Sequence, residues 1–94
     1  MIQKIKSKPV IFESIQWTND NFDEVEEFCG HGKAKINYEA FRVLLGVEYP
    51  ILQIITPIGW VSVPENGYVV KHPDGVLNSV GESVFEQLYE VVDG

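Results

Sequence analysis

The chain has 94 residues, of which 14 are acidic and 7 are Lys or Arg, so its net charge is −7. Residues 1–94 are expected to form a single domain, and the negative charge disfavours binding to phosphate backbones, so nucleic acid is not an expected partner. The single cysteine excludes an intramolecular disulfide, and no window has the apolar length of an export signal or a membrane span, so we expect a cytoplasmic protein with no membrane contact.

The chain begins with a basic segment that contains Lys4, Lys6 and Lys8, and such a cluster is usually a solvated arm. Residues 10–17, VIFESIQW, follow it and predict a strand because they are rich in β-branched and aromatic side chains. Apolar side chains occur on both alternating faces, which indicates a strand covered on both sides at its start. One face would hold Ile11, Ile15 and Trp17, and the other Val10 and Phe12.

Residues 21–29 predict an amphipathic helix. Asn21 and Glu24 have the spacing of a capping box at its start. Gly30 follows the last periodic residue, where a left-handed turn needs a residue without a Cβ. The apolar face recurs at intervals of three and four residues and consists of Phe22, Val25, Phe28 and Cys29.

Residues 33–49 admit more than one interpretation. They form a strand, a short helix or one of each around Gly46, since Ala40, Val43 and Leu44 fit a helical face whereas Ile36 and Tyr38 fit a strand. The sequence leaves both possibilities open.

From Pro50 the pattern predicts an antiparallel meander of four strands. ILQIIT, WVSV, YVVK and VLNSV alternate with turn sequences. The turns are TPIG at 56–59, PENG at 64–67 and HPDG at 72–75, and the last is the strongest turn signal because proline, aspartate and glycine each occupy a favoured position.

The C-terminal part predicts a short helix over about 82–88 after the breaker Gly81, with an apolar face of Val84, Phe85 and Leu88. Residues 89–92 predict a final strand that pairs with residues 10–17. The expected fold class is therefore α+β: a small antiparallel sheet, made of the meander plus terminal strands, with one amphipathic helix and one short C-terminal helix.

Cys29, His31 and His72 are the residues that a zinc site would use first. A structural zinc site takes four ligands at recognisable spacing, and one Cys-x-His pair has no partner pair here. We therefore predict no metal and no cofactor, with Cys29 on the helix face and His31 in the following turn.

The stretch Gly30–Lys33 is similar to the end of a phosphate loop. The complete pattern needs glycine at 27 and Ser or Thr at 34, but Glu27 and Ala34 stand there, so this interpretation is rejected. Fourteen acidic residues produce many carboxylate pairs by chance, so the sequence selects no catalytic residue. The prediction is a binding protein rather than an enzyme.

Two surfaces are candidates for contact with another molecule. The first is the acidic helix face, which would meet a basic protein partner unless it is an ordinary solvated face; it consists of Asp23, Glu24 and Glu27. The second combines aromatic and basic side chains that could hold a small ligand; it consists of Trp60, Tyr68, Lys71, His72 and Arg42.

The order of segments resembles a family of short, mostly uncharacterised proteins from tailed phages and prophages. KPVIFESIQWTNDN is similar to the family's KPV-x-x-E-A-x-QWTGDN, and NGYVVKHPDGVLNSVGESVFEQLYEVV is similar to GDY-x-x-K-G-x-x-GEF followed by PDIFE-x-x-YE. The likeness covers both outer thirds of the chain. The departures are Asn19 for glycine, Asn66-Gly67-Tyr68 for Gly-Asp-Tyr, and Gly81-Glu82-Ser83 for Lys-Pro-Asp.

The resemblance brings no catalytic residues, and it implies an accessory protein made in the host cytoplasm. We expect it to bind an unidentified host or phage protein and to form a homodimer through an exposed sheet edge. A protein that binds or sequesters a nucleotide signal is the first alternative, and a small hydrolase with acidic catalytic residues is the second.

Overall fold

The computed structural model describes residues 2–4, 11–44 and 47–92, and for residues 38–44 and 47–50 it describes the backbone alone. Two helices and six strands are described, and they confirm the α+β class. In chain order they are β1 Glu13–Gln16, α1 Phe22–Cys29, β2 Ala34–Leu44, β3 Val47–Thr56, β4 Gly59–Val63, β5 Tyr68–Lys71, β6 Leu77–Val80 and α2 Glu82–Leu88.

The six strands form two antiparallel sheets rather than one meander. The first has the order β1-β5-β6 and the second has the order β2-β3-β4. The expected pairing of β4 with β5 is wrong, because the PENG sequence connects the two sheets instead of closing a hairpin. Pro64 has no N–H to continue the ladder at the end of β4.

Backbone groups of the PENG sequence form hydrogen bonds with the backbone of Trp17. Its N–H donates to the Gly67 carbonyl at 2.8 Å, and its carbonyl accepts from the Asn66 N–H at 3.0 Å. Asn66 has a φ of 60°, as expected for its predicted positive-φ turn position. These bonds continue the register in which Gln16 faces Tyr68, so the connection between the sheets extends the β1–β5 ladder.

The predicted pairing of residues 89–92 with the first strand is also wrong. Residues 89–92 are not a strand, and β1 pairs with β5 from Glu13 opposite Lys71 to Gln16 opposite Tyr68. The segments before β1 and after α2 still meet at one pair of side chains, since the Phe12 and Tyr89 rings lie 5.9 Å apart at an edge-to-face angle.

The predicted covering of the first strand on both faces is corrected at its start. The strand begins at Glu13, and Ile11 before it is 74% exposed. Trp17 and Ile15 face the core as expected, whereas Val10 lies outside the described residues.

The main core lies between the two sheets and α1. Its largest fully buried side chains are Trp17, Leu52, Ile54, Val25 and Val69, and Phe22 and Phe28 of α1 pack against it. The predicted inward face of α1 is therefore confirmed. Successive side chains of a strand point to opposite faces. Val70 therefore faces away from this core and lies on the α2 side of the first sheet, in the same groove lining as Phe85 of α2.

α2 has the predicted bounds, but its apolar face is only partly covered. Phe85 is buried, whereas Val84 is 48% and Leu88 68% exposed. The Phe85 ring stacks on Tyr68 with the centroids 3.7 Å apart, and this contact holds α2 on the first sheet.

The predicted capping box at the start of α1 does not form. Asn21 is the N-cap residue but makes no side-chain cap hydrogen bond. Its Oδ1 accepts from the Thr18 N–H at 3.0 Å, and its Nδ2 donates to the Gln16 carbonyl at 2.8 Å. The side chain thus closes the turn between β1 and α1. At the other end Gly30 has a φ of 107°, so the predicted need for glycine is confirmed.

Residues 34–44 and 47–56 form two paired strands, which resolves the ambiguity in favour of strands; Gly46 lies outside the described residues. Asn37 faces Ile51 and Phe41 faces Pro50, so β2 carries extra residues between these pairs. Pro50 cannot donate to the ladder, and a bulge is where a strand tolerates it. β4 pairs only with Leu52–Thr56 of β3. The rest of the paired strands β2 and β3 therefore forms a two-stranded arm.

The predicted turns at TPIG and HPDG are confirmed. Thr56 faces Gly59 across the first turn, and Gly59 has a φ of 108°. In the second, the Gly75 N–H donates to the His72 carbonyl at 2.8 Å, and the Asp74 carboxylate accepts from the Val76 N–H. Each hairpin therefore closes where proline and glycine favour it.

Replacement of Gly67 by alanine is expected to destabilise the fold by about 1–3 kcal/mol, as overpacking does. An added Cβ would lie 2.9 Å from the Pro64 carbonyl oxygen and 3.0 Å from that of Val80, and neither backbone atom can move freely. Urea unfolding of Gly67→Ala measures the loss.

Gly81→Ala is the matched control, because an added Cβ there has no neighbour within 4 Å and the φ is −65°. This variant should lose less than about 1 kcal/mol in its free energy of unfolding, which is the size of the effect of a change at an N-cap. Equal losses in the two variants would contradict the close approach at Gly67.

Candidate functional site

The outer face of α1 presents the predicted acidic surface. Asp23, Glu24 and Glu27 are exposed, and Val25 and Cys29 on the opposite face are buried. Asp23, Glu27, Glu26 and His31 line a shallow depression of about 430 Å³. Because the opposite face of α1 packs on the core, these carboxylates point towards solvent.

The negative charge of this surface is not balanced by basic residues at the C-terminal end of α1. No basic residue lies in the last turn of α1. Lys71 instead reaches under the helix, donates to the Phe28 carbonyl at 2.6 Å and lies 4.3 Å from the Phe28 ring centroid. The cation thus satisfies the helix C-terminus and leaves the outer face acidic.

The predicted aromatic and basic surface does not come together at one place. Trp60 lies in the second sheet and is 40% exposed, with the Lys35 ammonium 4.2 Å from its ring centroid. Tyr68 and Lys71 lie in the first sheet and point to opposite faces. Tyr68 stacks on Phe85, and Lys71 bonds to α1.

His72 and Arg42 are also apart from Trp60 in the strand arrangement. The His72 Nε2 and the Asn78 Nδ2 lie 2.7 Å apart, and the His72 ring packs edge-to-face on Phe12. Arg42 lies in β2 opposite Tyr49, and its side chain is outside what the structure describes.

Cys29 has the environment of a structural thiol. It is 6% exposed and belongs to the main core. Burial raises the pKa of the Cys29 thiol from 9.0 to about 11, although the positive charges of Lys71 and Lys33 offset part of the rise. The thiol is therefore protonated at neutral pH and is a poor nucleophile.

The two histidines belong to different turns of the chain. His31 is exposed in the turn after α1, as predicted, and His72 is half-buried against β6. Within residues 2–4, 11–44 and 47–92, no three side chains of His, Cys, Asp or Glu are placed to hold a metal ion together.

A groove on the α2 side of the first sheet is a surface that the sequence reasoning missed. It has a volume of about 410 Å³ between β1, β5 and α2. Its lining is mixed and consists of Ile11, Phe12, Ser14, Val70, Phe85, Leu88, Tyr89, Glu90, Val91 and Val92. The apolar residues of 89–92 were the available signal, but their pattern suggested a strand rather than the wall of a groove.

Comparisons with protein-family models, with curated proteins and with solved structures found no match to this chain. In the described part of the chain, neither helix has the length and apolar character needed to cross a membrane.

The raised pKa of Cys29 predicts a specific pH dependence of stability. The unfolded thiol ionises from pH 9.0, whereas the folded thiol stays protonated until about pH 11. Its contribution to folding is therefore fully present below pH 9.0 and is lost as the pH rises towards 11. Cys29→Ala lacks this ionisation, so the stability difference between wild type and variant should change in that window.

Urea unfolding of both proteins on either side of pH 9.0 measures this change. The wild type should lose stability relative to Cys29→Ala as the pH rises, while the other titrating groups affect both proteins alike. A constant difference across the window would show that the thiol is not buried as described.

Proposed function

We propose that this protein is a non-enzymatic accessory protein of a phage or prophage that binds a host or phage protein in the cytoplasm. The observation that supports this proposal most directly is the outward acidic face of α1, Asp23, Glu24 and Glu27. The phage setting rests on the sequence resemblance of the outer thirds of the chain.

The acidic face favours a partner with a basic surface. Complementary charge raises association rates and selects among partners more than it raises affinity. The helix is rigid on its inner side, because Val25 is fully buried and Phe22 and Phe28 pack on the core. The carboxylates are therefore presented in a fixed arrangement, which lowers the entropic cost of binding.

The environments of the nucleophilic and basic side chains favour binding over catalysis. The Cys29 thiol is buried with a raised pKa, and His72 is engaged with Asn78 and Phe12. Nucleophilic catalysis needs a nucleophile within reach of a base, and no such pair is formed by Cys29 with His31 or His72 in the described residues. The separation of Trp60 from Tyr68 gives no support to the small-ligand alternative.

Charge reversal on α1 tests the proposal. Glu24→Lys with Glu27→Lys should weaken capture of a partner from host lysate by about tenfold or more, because hydrogen-bonded charge pairs contribute about 1.5–3 kcal/mol each. The loss should be largest at low salt, where charges are least screened. Quantitative affinity capture followed by a titration with the captured protein measures it.

Glu82→Lys with Glu86→Lys is the matched control, since these exposed residues of α2 change the net charge equally and lie outside the groove lining. Circular dichroism verifies that both double variants are folded. Equal capture by wild type and the α1 variant would remove the acidic face as the contact surface, and equal loss in both variants would indicate a net-charge effect without a specific surface.

A further inference from the structure

Hydrogen bonds hold the connection between β4 and β5 closed on both sides of the Asn66-Gly67 peptide bond. The Asn66 N–H donates to the Trp17 carbonyl at 3.0 Å, and the Gly67 carbonyl accepts from the Trp17 N–H at 2.8 Å. The Gly67 N–H donates to the Pro64 carbonyl at 2.9 Å, and the Asn66 carbonyl accepts from the Gln16 amide at 2.9 Å. These bonds form the Trp17 junction, in which every backbone polar group of Asn66 and Gly67 is engaged.

The side-chain amide of Asn66 is a target for the backbone nitrogen that follows it. Among the asparagines of the chain, only Asn66 precedes a glycine. Once the Gly67 nitrogen has lost its proton, it forms a bond to the Asn66 Cγ, the bond from Cγ to the side-chain nitrogen breaks, and ammonia leaves. Water then opens the succinimide ring at either carbonyl and produces aspartate or isoaspartate. Glycine favours this reaction because it has no Cβ to crowd the attacking nitrogen.

The folded chain withholds the attacking nitrogen rather than the target. The Asn66 side chain is exposed, whereas Gly67 is buried. The proton that the Gly67 nitrogen must lose is held by the Pro64 carbonyl. Solvent reaches such a proton only when the hydrogen bond opens. Succinimide formation therefore requires a local opening of the Trp17 junction.

We propose that Asn66 is a deamidation site that reacts when the Trp17 junction opens, and that the isoaspartate product prevents the junction from closing again. Water is the co-reactant, and the chain exchanges an amide for a carboxylate. The rate of the reaction then reports how often the junction opens. The two-sheet arrangement thereby carries a one-way chemical record of its own openings.

The isoaspartate product does not fit the junction because its backbone passes through Cβ. One more backbone atom then separates the Cα of residue 66 from the Gly67 nitrogen. In the folded chain the Asn66 N–H and the Gly67 carbonyl bond to the two backbone groups of one residue, Trp17, so their spacing is fixed. The product also places a carboxylate where the Asn66 carbonyl meets the Gln16 amide. That amide lies 3.3 Å from the Glu82 carboxylate as well, and two like charges there repel each other.

Incubation of the wild type at mildly alkaline pH, in buffer and in urea, tests where the reaction occurs. Mass spectrometry of the peptide that contains residue 66 separates asparagine, aspartate and isoaspartate, and released ammonia is measured in parallel. The folded protein should react more than about tenfold more slowly, because opening breaks at least the bonds to Pro64 and Trp17. Asp74 and Asp93 also precede glycine, but their isomerisation releases no ammonia and leaves the mass unchanged.

Gln16→Ala tests the junction in the folded state. It removes the amide that holds the Asn66 carbonyl, so deamidation in buffer should become about fivefold faster, the factor that one lost hydrogen bond represents. Ser14→Ala is the matched control, because it lies on the same strand and leaves the bonds of the junction in place. Circular dichroism verifies that both variants are folded.

Gly67→Ala, measured in urea, identifies the attacking nitrogen without relying on the folded state. Its added Cβ crowds that nitrogen, so residue 66 should react more slowly than in the unfolded wild type. If Gln16→Ala does not fold, this variant and the comparison of buffer with urea decide the question. The reaction does not involve the acidic face of α1, so its outcome is independent of partner capture by that face.

Equal rates in buffer and urea would overturn the proposal, and so would an Asn66 that stays intact in urea. Equal rates for folded Gln16→Ala and Ser14→Ala would show that opening of the junction does not control the reaction. The isoaspartate form, isolated by chromatography, should exchange the Trp17 amide as fast as an exposed turn. A Trp17 amide still protected in that form would overturn the one-way step.

Discussion

Both backbone polar groups of Trp17 bond to the connection between β4 and β5, and the division of this protein into two sheets depends on those bonds. The Trp17 side chain is 1% exposed, so its N–H and carbonyl are fixed beside the Gly67 carbonyl and the Asn66 N–H. Gln16 adds a third contact, because its amide donates to the Asn66 carbonyl at 2.9 Å. Unpaired buried backbone groups are costly, so this junction satisfies the turn as well as the strand.

The junction also determines which surfaces remain available. It uses the β5 side of β1 and leaves the other edge of β1 without a described partner. The chain then turns at Asn21 into α1, which packs together with the second sheet on one face of the first sheet, while Phe85 of α2 packs on the other. The outward acidic face of α1 and the groove beside α2 are therefore on opposite sides of the same three strands.

The parts of the fold that local sequence determines were predictable. The bounds of α1 and α2, the need for glycine at position 30 and the HPDG turn all follow from patterns within a few residues. The sheet break was not, because PENG has the composition of a hairpin turn and its true partner, Trp17, is distant in sequence. Asn21 was misjudged for the same reason: its side chain bonds to Gln16 and Thr18 instead of the helix N-terminus. The acidic face could be read from helical spacing, whereas the groove depends on how residues 89–92 lie against β1.

Hydrogen exchange of individual amides, followed by NMR, tests the Trp17 junction most directly. The Trp17 and Asn66 amides should be as protected as the amides of the β5–β6 ladder, because both are donors in the bonds that join the strand to the connection. Exchange of these two amides at the rate of an exposed turn, with the β5–β6 ladder still protected, would show that the connection is not anchored to Trp17 and would contradict the two-sheet arrangement.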